Sequence, residues 1–285
     1  MSSSMLETIA QQITIYVGFT ILITGVAGAL LNLIVFLSLK TFRENSCAFY
    51  LIIMSMFDIG QLLLALLSRI MTVGFHTEWT TSSIFFCKFR AYHVQICALT
   101  SLTCYCLSTI DQFCATTTHI RLQQWCNIKT ARYICLGVVL LWILHGIPVL
   151  VYHNVIGIPN TSRLVCKSTH PIYNQYFFYG YQYTFCSFLP LFISILFGCL
   201  AYFNVRRNAQ LPVPIARREL DKQLTTMVLC TVLLNSFSLM PYMILQIIPS
   251  SSTENEYNFM DFASSLTLLL FFTYYTVSKN FLIEK

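Results

Sequence analysis

Seven apolar runs, each long enough to cross a bilayer, constrain this chain more than any other feature. They cover roughly residues 13–39, 49–72, 86–113, 132–153, 173–205, 225–248 and 257–277. A helix rises 1.5 Å per residue, so about 20 mostly apolar residues span the hydrocarbon core. Inside that core only helices and closed barrels satisfy every backbone polar group. The period-two alternation of barrel strands is absent, which leaves helices. Composition agrees, with 56% of the 285 residues hydrophobic and 10% charged, where a soluble surface needs about 25% charged residues. The expected fold is an all-α membrane protein, a single seven-transmembrane-helix bundle over residues 1–285 with a short C-terminal tail. The first run starts too late and runs too long for a cleaved signal peptide, and it reads as a retained anchor. No linker, internal repeat or low-complexity tract marks a second domain.

Lys and Arg placement orients the bundle. With the N-terminus outside, twelve of the 17 basic residues fall on inner connections, and only Arg69, Lys88, Arg90, Arg163 and Lys167 fall outside. Inner loops carry such an excess in membrane proteins. The net charge of +6 therefore reports topology in a multi-pass plasma-membrane protein whose medium is the lipid bilayer, and nucleic acid is not an expected partner. The same topology sorts the 12 cysteines. Only Cys87 and Cys166 reach an oxidising space, so one disulfide is expected between them. The same outer loop holds Asn160-Thr161-Ser162, an acceptor sequence for N-glycosylation.

Polar groups deep in a membrane are expensive and usually functional. Asp58, in "IIMSMFDIGQLLL", is the one carboxylate deep inside a run, and Asn32 lies at similar depth. Ser101 follows Cys87 by 14 residues, about 21 Å along a helix, which brings it near the same level. These oxygens suit a sodium ion or a shared proton, because hard cations prefer oxygen ligands. They equally suit a protonated Asp58 hydrogen-bonded to Asn32. No other cofactor is expected.

The order of these residues resembles the rhodopsin-like (class A) G-protein-coupled receptors over nearly the whole chain. Asn32 and Asp58 match the family's asparagine and aspartate on helices 1 and 2. Cys87 and Asp111 have the family's spacing between its disulfide cysteine and the aspartate of Asp-Arg-Tyr. Trp142, Pro190 and Pro241 match the tryptophan of helix 4 and the prolines of helices 5 and 6. The resemblance implies an extracellular ligand and a heterotrimeric G protein as partners. It assigns coupling to Asp111, Gln112, Phe113, Asp221 and Tyr274.

The chain departs from the family at its switches. Asp111-Gln112-Phe113 replaces Asp-Arg-Tyr, Leu239 replaces a helix 6 tryptophan, and the helix 7 motif is reduced to Leu270-Phe271-Phe272-Thr273-Tyr274. In the family the arginine pairs with the adjacent aspartate, reaches helix 6 when inactive and meets the G protein when active. Gln112 can only hydrogen-bond, and Asp221 loses its usual cation. Water and basic residues such as Arg121 are then the expected company of Asp111.

Carried over by helix face, the ligand pocket comprises Arg69, Val94, Gln95, Gln182, Tyr183, Tyr242, Gln246 and Glu256. Val94 stands where amine receptors keep a carboxylate, so the pocket suits a peptide or small polar molecule rather than a monoamine. Arg69 alone also reads as a side chain snorkelling to the outer interface. A transporter would show a repeat and several deep charges, and an intramembrane hydrolase a nucleophile with a base or a metal-ligand cluster; neither pattern is present. The remaining alternative is a receptor-like protein that no longer couples, acting as a decoy or dimer partner.

Overall fold

The computed structural model describes residues 3–38, 40–77, 79–157, 164–207, 215–247 and 254–277. Within them the chain forms seven long helices. These are α1 (Ser3–Ser38), α2 (Ser46–Gly74), α3 (Ile84–Thr116), α4 (Ile128–Tyr152), α5 (Pro171–Arg207), α6 (Ile215–Ile247) and α7 (Glu254–Val277). The first five are long and apolar enough to cross a membrane, and α6 and α7 carry the shorter apolar segments Val228–Tyr242 and Phe262–Thr276.

The helices outrun the apolar runs, because polar caps fix their ends and hydropathy does not register caps. Asn45 accepts from the Ala48 N–H at 3.2 Å and starts α2. Asn127 accepts from Lys129 N–H at 3.0 Å and starts α4. Such side chains satisfy donors that have no intrahelical partner. The first helix begins well before residue 13, and there Gln11 donates to the Gly74 carbonyl at 2.7 Å, tying the top of α1 to the end of α2.

One element departs from the all-α expectation. His153–Gly157 (β1) pairs antiparallel with Leu164–Ser168 (β2), with Val155 opposite Cys166 and His153 opposite Ser168. Cys166 is bonded to Cys87 at the start of α3, with the Cα atoms 5.7 Å apart.

Packing places α3 at the centre, against α2, α4, α5 and α6, while α7 closes the ring between α6 and α1. Of the most apolar stretch of α3, 67% is buried, against 17% in α4, so α4 is the peripheral helix. The buried core runs through Leu99, Leu102 and Tyr105 of α3 to Leu239 of α6 and to Tyr274 and Tyr275 of α7. Helix α5 is wound as a π-helix over Tyr176–Phe188. The hydroxyls follow the wider turn: Thr184 donates to the Tyr179 carbonyl at 2.8 Å and Ser187 to that of Gln182 at 3.2 Å, each five residues back.

Candidate functional site

Near the C-terminal end of α3, Asp111 and Gln112 are both buried. The Ser46 hydroxyl, in the first turn of α2, donates to both carboxylate oxygens of Asp111, at 2.9 and 2.8 Å. The Asn45 cap sets that turn, and the neighbouring Cys47 thiol reaches the Ser108 carbonyl at 3.7 Å. The expected company of Asp111 is corrected here: Arg121 is exposed, and a neutral hydroxyl holds the carboxylate. A buried hydroxyl serves because it satisfies the oxygens without bringing a second charge out of water.

From the loop between α3 and α4, Cys126 donates to the Asp111 carbonyl at 3.4 Å, and Gln123 closes the end of α3 by donating to Thr117 O at 2.6 Å. The Cys126 thiol also hydrogen-bonds that of Cys114, and this bond, with burial, raises its pKa.

Gln112 reaches across the bundle. Its amide donates to the Thr225 hydroxyl of α6 at 2.6 Å. Phe113 turns the other way and packs against Phe197 of α5, with ring centroids 5.5 Å apart. The C-terminal end of α3 and the N-terminal half of α6 are therefore joined by a neutral hydrogen bond. Tyr274 is buried in the core, edge-on to Tyr105 at 5.9 Å. The side chain of Asp221 lies outside the described residues, as do those of Gln246 and Glu256 and the whole of Asn160.

Halfway up, Asp58 is fully buried and accepts from the Ser101 hydroxyl. A hydroxyl that donates its proton keeps lone pairs free for a cation. Cys97, Tyr274 and Tyr275 lie within electrostatic reach of the carboxylate. Asn32 is buried on α1. This donor set, carboxylate and hydroxyl in a closed site, fits a small hard cation.

Toward the opposite end of the bundle, Arg69 turns to a neighbouring helix rather than snorkelling. Its guanidinium donates to Ser265 of α7 at 3.1 Å, bridging α2 and α7. Tyr242 is buried against Phe271, with centroids 5.1 Å apart. Val94, Gln182 and Tyr183 are half-buried. Gln95 is turned toward α4: its amide meets His145 Nδ1 at 3.0 Å, and the other ring nitrogen of His145 meets the Tyr176 hydroxyl of α5. Below this chain Trp142 donates to Thr103 at 3.1 Å. The expected pocket residues thus turn to different neighbours, Arg69 and Tyr242 to α7 and Gln95 to α4.

A family profile described as 7 transmembrane receptor (rhodopsin family) matches residues 28–277. The chain belongs to the rhodopsin family of seven-transmembrane receptors. Its members are receptors and not enzymes. The type-1 angiotensin II receptor A of Xenopus laevis is 23% identical over 171 residues, which cover 59% of this receptor and 46% of that relative. The match thus spans about half the length of that relative. Ser46, Thr225, Ser265 and His145 make the contacts that define this receptor's ends, and none stands in a family motif quoted above. Only Ser46 has a local signal, its place beside a capping asparagine at the start of an apolar run.

Proposed function

We propose that this receptor lies in the plasma membrane with seven spans and its N-terminus outside, binds an extracellular ligand between the outer halves of its helices, and passes the change to a heterotrimeric G protein. The bond from Gln112 to Thr225 carries this reading. It joins the two helices whose inner ends separate when such a bundle opens, so it biases a two-state element that a ligand can shift. Asp111, anchored to α2 by Ser46, holds the end of α3 still while α6 moves.

Because Val94 offers no carboxylate, the ligand is a peptide or small polar molecule rather than a monoamine. Arg69, Gln182, Tyr183 and Tyr242 supply its polar and aromatic contacts, with Gln246 and Glu256. The frog relative is named for angiotensin II; that name supports the receptor class without supplying the ligand. Asp58, Ser101 and Asn32 would hold a sodium ion, whose charge would stabilise the ionised Asp58 and thereby the closed bundle. Asn160 is the glycosylation site.

Expression in cells reporting several G-protein families tests the coupling. Wild type is expected to signal weakly, because a glutamine cannot make the charged contact that an arginine makes. Gln112→Arg is expected to raise the signal at matched surface expression. Silence of both forms in every family would favour the non-coupling receptor-like protein, and a weaker signal from the arginine form would show that the glutamine belongs to a different working interface.

A further inference from the structure

The outer hairpin brings together polar groups that the proposed ligand pocket and G-protein contact do not use. Cys166 points at α3, because it is bonded to Cys87. Val155 lies opposite Cys166, and cross-strand partners project from the same face of a hairpin. His153, two residues before Val155, shares that face. On α3, Arg90 follows Cys87 by three residues, which places it about one turn below on the same side. Strand register and helical period therefore direct His153 and Arg90 to one place. The buried His153 ring also meets Tyr173, in the first turns of α5, edge-on at 6.1 Å.

This meeting point is rich in donors and cations. The Arg90 Nε is buried and, among the described residues, has no hydrogen-bond partner; the same holds for the Tyr173 hydroxyl. The charges acting on His153 are Arg90 and Lys88, both cationic. Burial first, and then Arg90, lowers the His153 pKa, which keeps its ring neutral. A buried guanidinium nitrogen and a buried hydroxyl left without acceptors are costly, and a native structure that keeps such groups together generally supplies what they bind.

We infer that Arg90, Tyr173 and His153 form a binding site, beneath the outer hairpin, for an anionic oxygen group, a phosphate or a carboxylate. Arg90 pairs with the anion, the Tyr173 hydroxyl donates to it, and the His153 ring walls it off. The group belongs either to a soluble ligand or to the headgroup of an outer-leaflet lipid. The site shares no residue with the proposed ligand pocket, and it rests on the N-terminus-outside orientation proposed above.

The test is thermal melting of purified receptor in phosphatidylcholine nanodiscs, titrated with potassium phosphate or potassium acetate against potassium chloride at equal ionic strength. A parallel set of nanodiscs contains phosphatidylserine. The melting temperature of wild type should rise with the anion, as binding to the folded state alone requires. Arg90→Gln should weaken the apparent affinity about tenfold or more, since a charged hydrogen bond is lost. Tyr173→Phe keeps the ring contacts and should blunt the rise if Arg90→Gln does not fold. A rise with phosphate or acetate alone assigns the anion to a soluble ligand, and a rise with phosphatidylserine alone assigns it to a headgroup. No rise in wild type with any probe, or a rise left unchanged by both substitutions, would overturn the inference. The readout is stability, so a receptor silent toward G proteins still answers it.

Discussion

A carboxylate at the C-terminal end of a helix meets the negative pole of the helix dipole, at a cost of about 0.3–1 kcal/mol. Asp111 offsets this through the single proton of the Ser46 hydroxyl, shared between its two oxygens. Ser46→Ala should therefore leave a buried carboxylate short of donors and lower stability by about 1–3 kcal/mol. Ser46→Thr, which keeps the hydroxyl, should stay near wild type. Melting of the detergent-solubilised receptor reads both, and an alanine variant as stable as wild type would show that water replaces the serine. Asp111 is legible in sequence because it keeps a family position, and Gln112 because it breaks the motif that follows. Ser46 and Thr225 are not, because a hydroxyl is common in membrane helices and its importance comes from a partner 65 or 113 residues away. Arg69 misleads for a related reason. An arginine near a helix end reads as a snorkelling side chain, and only the approach of α7 shows what it binds.

At the scale of elements, the apolar runs give the helices and miss their ends, since asparagine caps and the Gln11–Gly74 contact extend helices through polar residues. The hairpin escapes a reading by apolar runs altogether, because two strands of five residues lie in a loop whose pairing is held by the disulfide. That bond closes a separation of 79 residues, for which the chain-entropy account gives a stabilisation of about 4 kcal/mol. Cys87→Ser and Cys166→Ser should each reduce surface expression sharply and to the same degree, because either removes the same bond. Non-reducing peptide mapping of the folded receptor should recover the Cys87–Cys166 crosslink; finding both thiols free would remove this element from the account. The π-wound part of α5 also lies beyond sequence reading. Its hydroxyls look like any others until the five-residue spacing of their acceptors is seen.

The whole molecule is an α3-centred bundle, and that arrangement joins the three levels of polar contact. Asp58 and Ser101 link α2 to α3 at mid-depth, Gln112 and Thr225 link α3 to α6 at one end of the bundle, and Arg69 and Ser265 link α2 to α7 toward the other. If Asp58 takes a sodium ion, as proposed, wild type should melt higher in sodium than in a large organic cation, and Asp58→Asn should remove the difference. Equal melting in both salts for both forms would leave Asp58 a purely structural group.

In the function proposed above, a neutral bond between α3 and α6 holds a coupling-competent receptor closed. A hydrogen bond of this kind contributes about 0.5–1.5 kcal/mol net, enough to change an open population by about twofold to tenfold. Thr225→Val removes the hydroxyl and keeps the side-chain shape. The most direct measurement is ligand-independent nucleotide exchange on purified G proteins by receptor in nanodiscs, with wild type and Thr225→Val compared at equal concentration. Faster exchange is expected with the valine form on at least one G protein. Exchange that is equal for the two forms, or absent for both on every G protein tried, would contradict it.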